Sequence, residues 1–301
     1  MDIVSTLRMA SRLAVVLFCV AAVSAAAQEE LPYTQQENVV YAEIHGTGLL
    51  ADIYKPKGDS NGLGVIDVVC GAWHSDRGKI NDHTKAQVFS IFCSKGYTVF
   101  AMRPGSVSKY TGEEMRENVL TAIRWVKSKA SEYGVDPNRL GMLGASAGGH
   151  LATLAAVTPE EADPAAKDPL KHADTRVKAV AVFFPPTDLA EMIAGSPNLS
   201  ETISNLLFAG GVEGHTPEEI QEKAIAISPS RQVKSGALPP FLLIHGDADP
   251  LVPLRQSELF VDAVKAAGGQ AELIVKPGGA HPWPTLPEEV AVMAEWFDKQ
   301  L

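Results

Sequence analysis

Gly144-Ala145-Ser146-Ala147-Gly148-Gly149 stands between two runs of opposite character. Arg139-Leu140-Gly141-Met142-Leu143 before it reads as a buried strand, and His150-Leu151-Ala152-Thr153-Leu154-Ala155-Ala156-Val157 after it reads as a helix. A serine among small residues at a strand-to-helix turn has the G-x-S-x-G pattern of a nucleophile elbow. Such a turn is tight, and Gly144 and Gly148 occupy the i−2 and i+2 positions where bulkier residues would clash. The elbow lifts the Ser146 hydroxyl clear of the strand. It also places it at a helix N-terminus, whose dipole favours developing negative charge.

The same strand-then-helix step recurs along the chain. Val39–Ile44 and Leu49–Tyr54 read as two strands joined at His45-Gly46-Thr47-Gly48, a hairpin. Leu63–Cys70 and Thr98–Met102 read as buried strands, with a helix expected over Lys85–Lys95 between them. Met115, Val119, Ile123 and Val126 recur at helical spacing and should face the core. Val177–Phe184 is a strand stopped by Pro185-Pro186. Residues 187–236 are too long for a simple connection and are expected to form a cap or insertion over the site. Strands at Phe241–His245 and Ala271–Val275 and a helix at Leu254–Ala267 follow. The last helix opens at Thr285, with Glu288 three residues on as an expected capping box. Alternation of this kind predicts an α/β domain over 38–301, a mostly parallel central sheet with helices on both faces.

Composition sets the outer bounds. At 301 residues, 46% hydrophobic, the chain can bury a sizeable core, and its formal net charge of −10 argues against nucleic acid or anionic membrane surfaces as partners. Arg8 and Arg12, the apolar run Leu13–Val23 and Ala25-Ala26-Ala27 have the layout of a cleaved signal peptide over 1–27. A secreted or periplasmic protein with no stable membrane anchor is therefore expected, with residues 28–37 as a flexible polar segment. A lipoprotein signal at Cys19 fits less well, because the bulky Phe18 precedes it. Of the remaining cysteines, Cys70 falls at a strand end and Cys93 in a helix, so two buried free thiols are expected. Nothing in the sequence indicates an oligomeric state.

A serine hydroxyl needs a base to become a nucleophile, and the base needs a carboxylate to fix its tautomer. Both types follow Ser146 in the chain, each just past a predicted strand. One stretch is His245-Gly246-Asp247-Ala248-Asp249-Pro250-Leu251-Val252-Pro253, and the other is Gly278-Gly279-Ala280-His281-Pro282-Trp283. C-terminal strand edges are where open α/β sheets gather their sites.

These stretches, with "DPNRLGMLGASAGGHLA" in full, resemble the α/β-hydrolase superfamily, and within it the secreted esterase/lipase branch of acetyl-xylan and feruloyl-type carboxylesterases. The resemblance implies Ser146 as nucleophile, His281 as general base and Asp249 as orienting acid. The family spacing G-x-x-D-x-x-V-P selects Asp249 over Asp247, which is left to bond backbone in its turn. The family's usual His-Gly-Gly-Gly/Ala-Trp oxyanion loop corresponds here to Val69-Cys70-Gly71-Ala72-Trp73, which lacks the leading histidine and first glycine. The backbone amides of Ala147, Gly71 and Ala72 are the expected oxyanion donors. Trp73 is either a wall of the substrate pocket or a core aromatic. The resemblance implies hydrolysis of short acyl esters, on a small molecule or a carbohydrate such as a plant polysaccharide, without a cofactor. An aminopeptidase or amidase, or a non-catalytic binding protein on the same fold, are the alternatives.

Two patterns lead elsewhere and are set aside. Gly46-Thr47-Gly48-Leu49-Leu50-Ala51 matches G-x-G-x-x-A but runs into strand-like sequence instead of the helix a dinucleotide site requires. His74, Asp76, Asp82 and His83 have no metal-site spacing, and no metal is expected. His150 and His245 are read as core histidines with satisfied hydrogen bonds.

Overall fold

The structure, a computed structural model, describes residues 30–196 and 198–301. The expected signal peptide lies outside them. Eight strands form one sheet: β1 (Tyr33–Ile44), β2 (Thr47–Pro56), β3 (Gly64–Val68), β4 (Thr98–Met102), β5 (Leu140–Ala145), β6 (Ala179–Phe183), β7 (Phe241–Gly246) and β8 (Ala271–Lys276). Their spatial order is β1-β2-β4-β3-β5-β6-β7-β8. β2 pairs antiparallel with β1 and β4, and every other pairing is parallel. This is the α/β-hydrolase fold.

The sheet is covered on both sides, so its central strands are apolar throughout. In β3, Ile66 and Val68 belong to one core while Val65 belongs to the other, as the two-residue period of a strand dictates. The first face is packed by α3 (Gly112–Tyr133), α4 (Ala147–Val157) and α9 (Arg255–Ala266). Met115, Val119, Ile123 and Val126 of α3 are all buried there, as their spacing predicts. The second face is packed by α1 (Arg77–Lys85), α2 (Val88–Ser94) and α10 (Leu286–Gln300). Between β6 and β7, residues 187–236 hold α5 (Leu189–Ile193), α6 (Glu201–Leu207), α7 (Pro217–Ala226) and α8 (Pro229–Gln232). The hairpin is a two-residue turn in which His45 (φ 52°) and Gly46 (φ 68°) both take positive φ, which matches the twist of β1 and β2.

Three expectations need correction. Residues 33–37 are not frayed: they begin β1. Tyr33 is buried, and Gln35 donates 2.9 Å hydrogen bonds to Asp52 and to the Tyr54 hydroxyl, so side chains hold a polar edge strand. The expected helix over 85–95 is the shorter α2, which starts after Gln87 at φ 59°, and α1 ahead of it was not expected. α1 was not legible because only Ile80 of its residues is buried, leaving no apolar stripe. Thr285 precedes α10 without a capping box: its backbone is already near-helical (φ −91°, ψ 16°), so its side chain makes no cap bond.

Candidate active site

The geometry of β5 and α4 explains the small residues around Ser146. Ser146 is at φ 53°, ψ −122°, a strained backbone for a non-glycine residue, costing about 1–3 kcal/mol that the surroundings must offset. Its N–H donates to Phe183 O at 2.9 Å, and its carbonyl accepts the His150 N–H at 2.9 Å. A Cβ on Gly144 would sit 2.6 Å from the Gly148 carbonyl group, and one on Gly148 would sit 2.1 Å from Val68 O. The two glycines are therefore where α4, β5 and the end of β3 touch backbone to backbone.

The acid and base are brought to the same sheet edge by a second close approach. A Cβ on Gly246, at the end of β7, would lie 2.1 Å from Gly279 O. Ala248 N–H donates to Gly279 O at 3.0 Å, and Gly278 N–H donates to the Asp247 carboxylate at 2.6 Å. Asp247 thus bonds backbone, as expected, but across to the loop after β8 and not within its own turn, and so staples the two loops. Asp249 Oδ1 accepts the Leu251 and Val252 amides at 2.8 and 2.9 Å, and Oδ2 lies 2.6 Å from His281 Nδ1. His281 Nε2 lies 2.9 Å from Ser146 Oγ. The carboxylate can only accept, so it takes the Nδ1 hydrogen and leaves Nε2 basic toward the hydroxyl. The Phe184 ring tilts against His281 with ring centres 4.3 Å apart.

His245 also approaches Asp249 Oδ2, at 3.4 Å. This is not an ion pair. Burial holds the His245 imidazole below its ordinary range, against the pull of Val252 O and Asp249. Its Nε2–H donates to Val252 O at 2.8 Å, and Nδ1 faces Ser257 Oγ at 2.7 Å. His150 is fully buried and likewise satisfied. Both are core histidines, as read from the sequence.

The loop after β3 departs from one expectation. Gly71 and His74 exchange backbone bonds of 3.0 and 2.9 Å, making a tight two-residue turn with Ala72 (φ 46°) and Trp73 (φ 55°) at its centre. The Gly71 N–H is therefore spent on His74 O and is not free to serve as an oxyanion donor. The Ala72 N–H, in the turn, has no such backbone bond, and neither does the Ala147 N–H, at the first position of α4. The Gly148 N–H donates to Cys70 O at 3.1 Å, tying the elbow to this loop. Trp73 is 7% exposed and part of the first core, and it is also among the residues that line the cavity.

Ser146 and His281 open into a cavity of about 690 Å³. Its walls are mostly apolar and include Phe183, Trp283, Val290 and Met293, with Met192 and Ile203 from residues 187–236. His83 also reaches it, held by the buried Asp67 through a 2.7 Å contact. Sequence reading missed Phe184 and the Asp67–His83 pair. Phe184 had a signal, an aromatic at a C-terminal strand edge; Asp67 had none inside an apolar strand. Asp76, from the set-aside cluster, caps α1 by accepting the Gly78 N–H. Cys70 and Cys93 are buried free thiols.

Comparison with known proteins places the fold and the family. A solved carbohydrate esterase from gut microbiota, in truncated form, superposes with TM-score 0.75 at 28% identity, covering 90% of this chain and 98% of that one. The butyrate-bound esterase Est2 of Thermogutta terrifontis superposes with TM-score 0.66 at 25% identity, covering 88% and 93%. "Probable carboxylic ester hydrolase LipM" of Mycobacterium tuberculosis is 30% identical over 79% of this chain and 53% of its own length. The chain spans about half the length of the curated relative it matches here. Residues 51–264 match the BD-FAE family model, a span that contains Ser146 and Asp249, with His281 beyond its end. With the matching fold, this shows that the chain belongs to the BD-FAE family of the α/β-hydrolase superfamily.

Proposed function

We propose that this protein is a secreted serine carboxylesterase that hydrolyses short acyl esters, acetyl or feruloyl groups on plant polysaccharide among them. The observation that carries the catalytic part is the unbroken chain Asp249–His281–Ser146, with contacts of 2.6 and 2.9 Å, at the wall of an apolar cavity. Ser146 Oγ attacks the ester carbonyl while His281 Nε2 takes its proton. Asp249 stays ionised and steadies the imidazolium. The Ala147 and Ala72 amides receive the oxyanion, each worth about 2.7–4 kcal/mol of transition-state stabilisation. The tetrahedral intermediate collapses, His281 protonates the departing alcohol, and the acyl group remains on Ser146. Water, deprotonated by His281, then attacks the acyl-enzyme and releases the acid.

The carbohydrate ester as substrate is supported by the likeness to the gut-microbiota carbohydrate esterase, 28% identical. Secretion is supported by the pattern of residues 1–27. The test is a panel of p-nitrophenyl esters from acetate to octanoate, methyl ferulate, acetylated xylan and aminoacyl anilides. Turnover of acetate and acetylated xylan is expected. Turnover confined to the anilides would replace the esterase by a peptidase, and no turnover of any member by folded protein would leave a binding protein.

A further inference from the structure

The turn that carries Ala72 has an unusual problem. Its two central residues, Ala72 and Trp73, are both non-glycine at positive φ, so the turn is not a conformation the chain holds unaided. Besides the His74 exchange, the structure supplies two clamps. Val107 N–H donates to Trp73 O at 2.7 Å, and the Trp73 indole Nε1–H donates to His150 Nδ1 at 3.0 Å. An indole nitrogen can only donate, so His150 Nδ1 is unprotonated and Nε2 carries the hydrogen. That hydrogen goes to Ile227 O at 2.6 Å, at the end of α7. His150 itself has 0% exposure and lies on α4, four residues past Ser146. One buried imidazole thus joins the elbow helix, the turn after β3 and residues 187–236.

We propose that His150 is a positioning residue for the reaction: through Trp73 it holds the turn that aims the Ala72 amide, and through Ile227 it ties that turn to the helical segment beside the cavity. This rests on the reading in which Ala72 serves the oxyanion. Burial, against the upward pull of the bond to Ile227 O, pushes the His150 imidazole down to about 4, so it remains neutral, in the tautomer this arrangement needs, wherever the enzyme is folded above that pH. The position also suits the sequence. Val69 leaves the loop without a histidine of its own at its start, and the Trp73–His150 pair, 77 residues apart, supplies an anchor from another element.

The test compares Trp73→Phe, His150→Leu, His150→Asn and the double variant Trp73→Phe/His150→Leu in the intact enzyme. Phe keeps an aromatic ring and removes the donor. Asn places an oxygen near the position of Nδ1 and so keeps the acceptor. With p-nitrophenyl acetate, kcat of Trp73→Phe and His150→Leu should fall by about 10²-fold, as for a displaced oxyanion donor, with KM within about threefold. His150→Asn should retain kcat within about tenfold, and the double variant should be no worse than the poorer single, because both remove one interaction. Affinity for a boronic acid, which forms a tetrahedral adduct on the serine, should fall in parallel with kcat. If a variant fails to fold, benzothienylalanine at position 73 keeps the ring shape and deletes only the N–H. Folded Trp73→Phe or its benzothienyl counterpart with kcat within twofold of wild type overturns the proposal, as do losses that multiply in the double variant. Absence of ester turnover in the wild type would instead overturn the esterase reading.

Discussion

Gly148→Ala is the substitution whose outcome the structure fixes most sharply. In an ordinary helix, glycine to alanine stabilises by about 1 kcal/mol. Here the added Cβ would lie 2.1 Å from Val68 O and 3.2 Å from Cys70 O, both backbone atoms that no rotamer change can move. Restoring the Val68 contact from 2.1 to an ordinary 3.4 Å requires the first turn of α4 and the end of β3 to part by about 1.3 Å. That movement stretches the 3.1 Å bond from Gly148 N–H to Cys70 O and shifts Ala147 relative to the Ala72 turn. Overpacking of this kind costs about 1–3 kcal/mol, and an ångström of displacement at reacting groups costs about 10²-fold in rate. The expected result is a loss of about 2 kcal/mol in urea unfolding and at least about 10²-fold in kcat/KM for p-nitrophenyl acetate. Gly144→Ala, with its nearest contact at 2.6 Å, should resemble it, and Gly149→Ala, at 3.2 Å from a Pro185 side chain, should be milder. A Gly148→Ala protein as stable as wild type, with kcat/KM within threefold, would refute the account of why small residues surround Ser146.

Asp249→Asn should lower kcat by about 10⁴-fold, because the amide no longer selects the His281 tautomer, while Oδ1 continues to accept two backbone amides; a loss under tenfold in steady-state kinetics would contradict the role. Burial pushes the Cys70 and Cys93 thiols up to about 12, so neither should react with iodoacetamide at pH 8 until the protein is unfolded; mass spectrometry of the native protein checks this. At His83, burial disfavours the charge but the Asp67 charge and hydrogen bond outweigh it, and the imidazole is raised above its ordinary 6.5. A raised folded value means the pair stabilises fully at acidic pH and its contribution fades as pH climbs through the folded value. The stability gap between wild type and His83→Gln in urea melts should therefore be larger at pH 5.5 than at pH 9, and the reverse trend would contradict the pairing. His150, depressed to about 4 by burial, acts oppositely: its neutral form must be kept, so stability should fall between about pH 6.5 and 4, and His150→Asn should flatten that part of the curve.

What could be read in the sequence was what local chemistry dictates. The elbow glycines, the buried strands and the stripe of Met115, Val119, Ile123 and Val126 follow from sterics and periodicity. Asp249 and His281 were legible because each follows a strand and because the family resemblance fixed the spacing. The remainder depends on contacts across the chain. Gly71 looked like a free amide until His74 was seen across the turn from it. Residues 33–37 looked like a tail because their partner, the buried Asp52, is on another strand. α1 is held by one buried isoleucine and by Arg77 and His83 on the buried Asp52 and Asp67, none of which makes a pattern. The partner of the Trp73 indole could not be read because His150 Nδ1 is 77 residues away.

The central claim is that the Ser146 hydroxyl is activated by the His281 imidazole. Incubation of the folded protein with a fluorophosphonate, followed by peptide mass mapping, tests it directly. A single stoichiometric adduct on Ser146, lost in His281→Ala, is predicted. Folded protein that stays unlabelled, or carries the adduct on another residue, would contradict it.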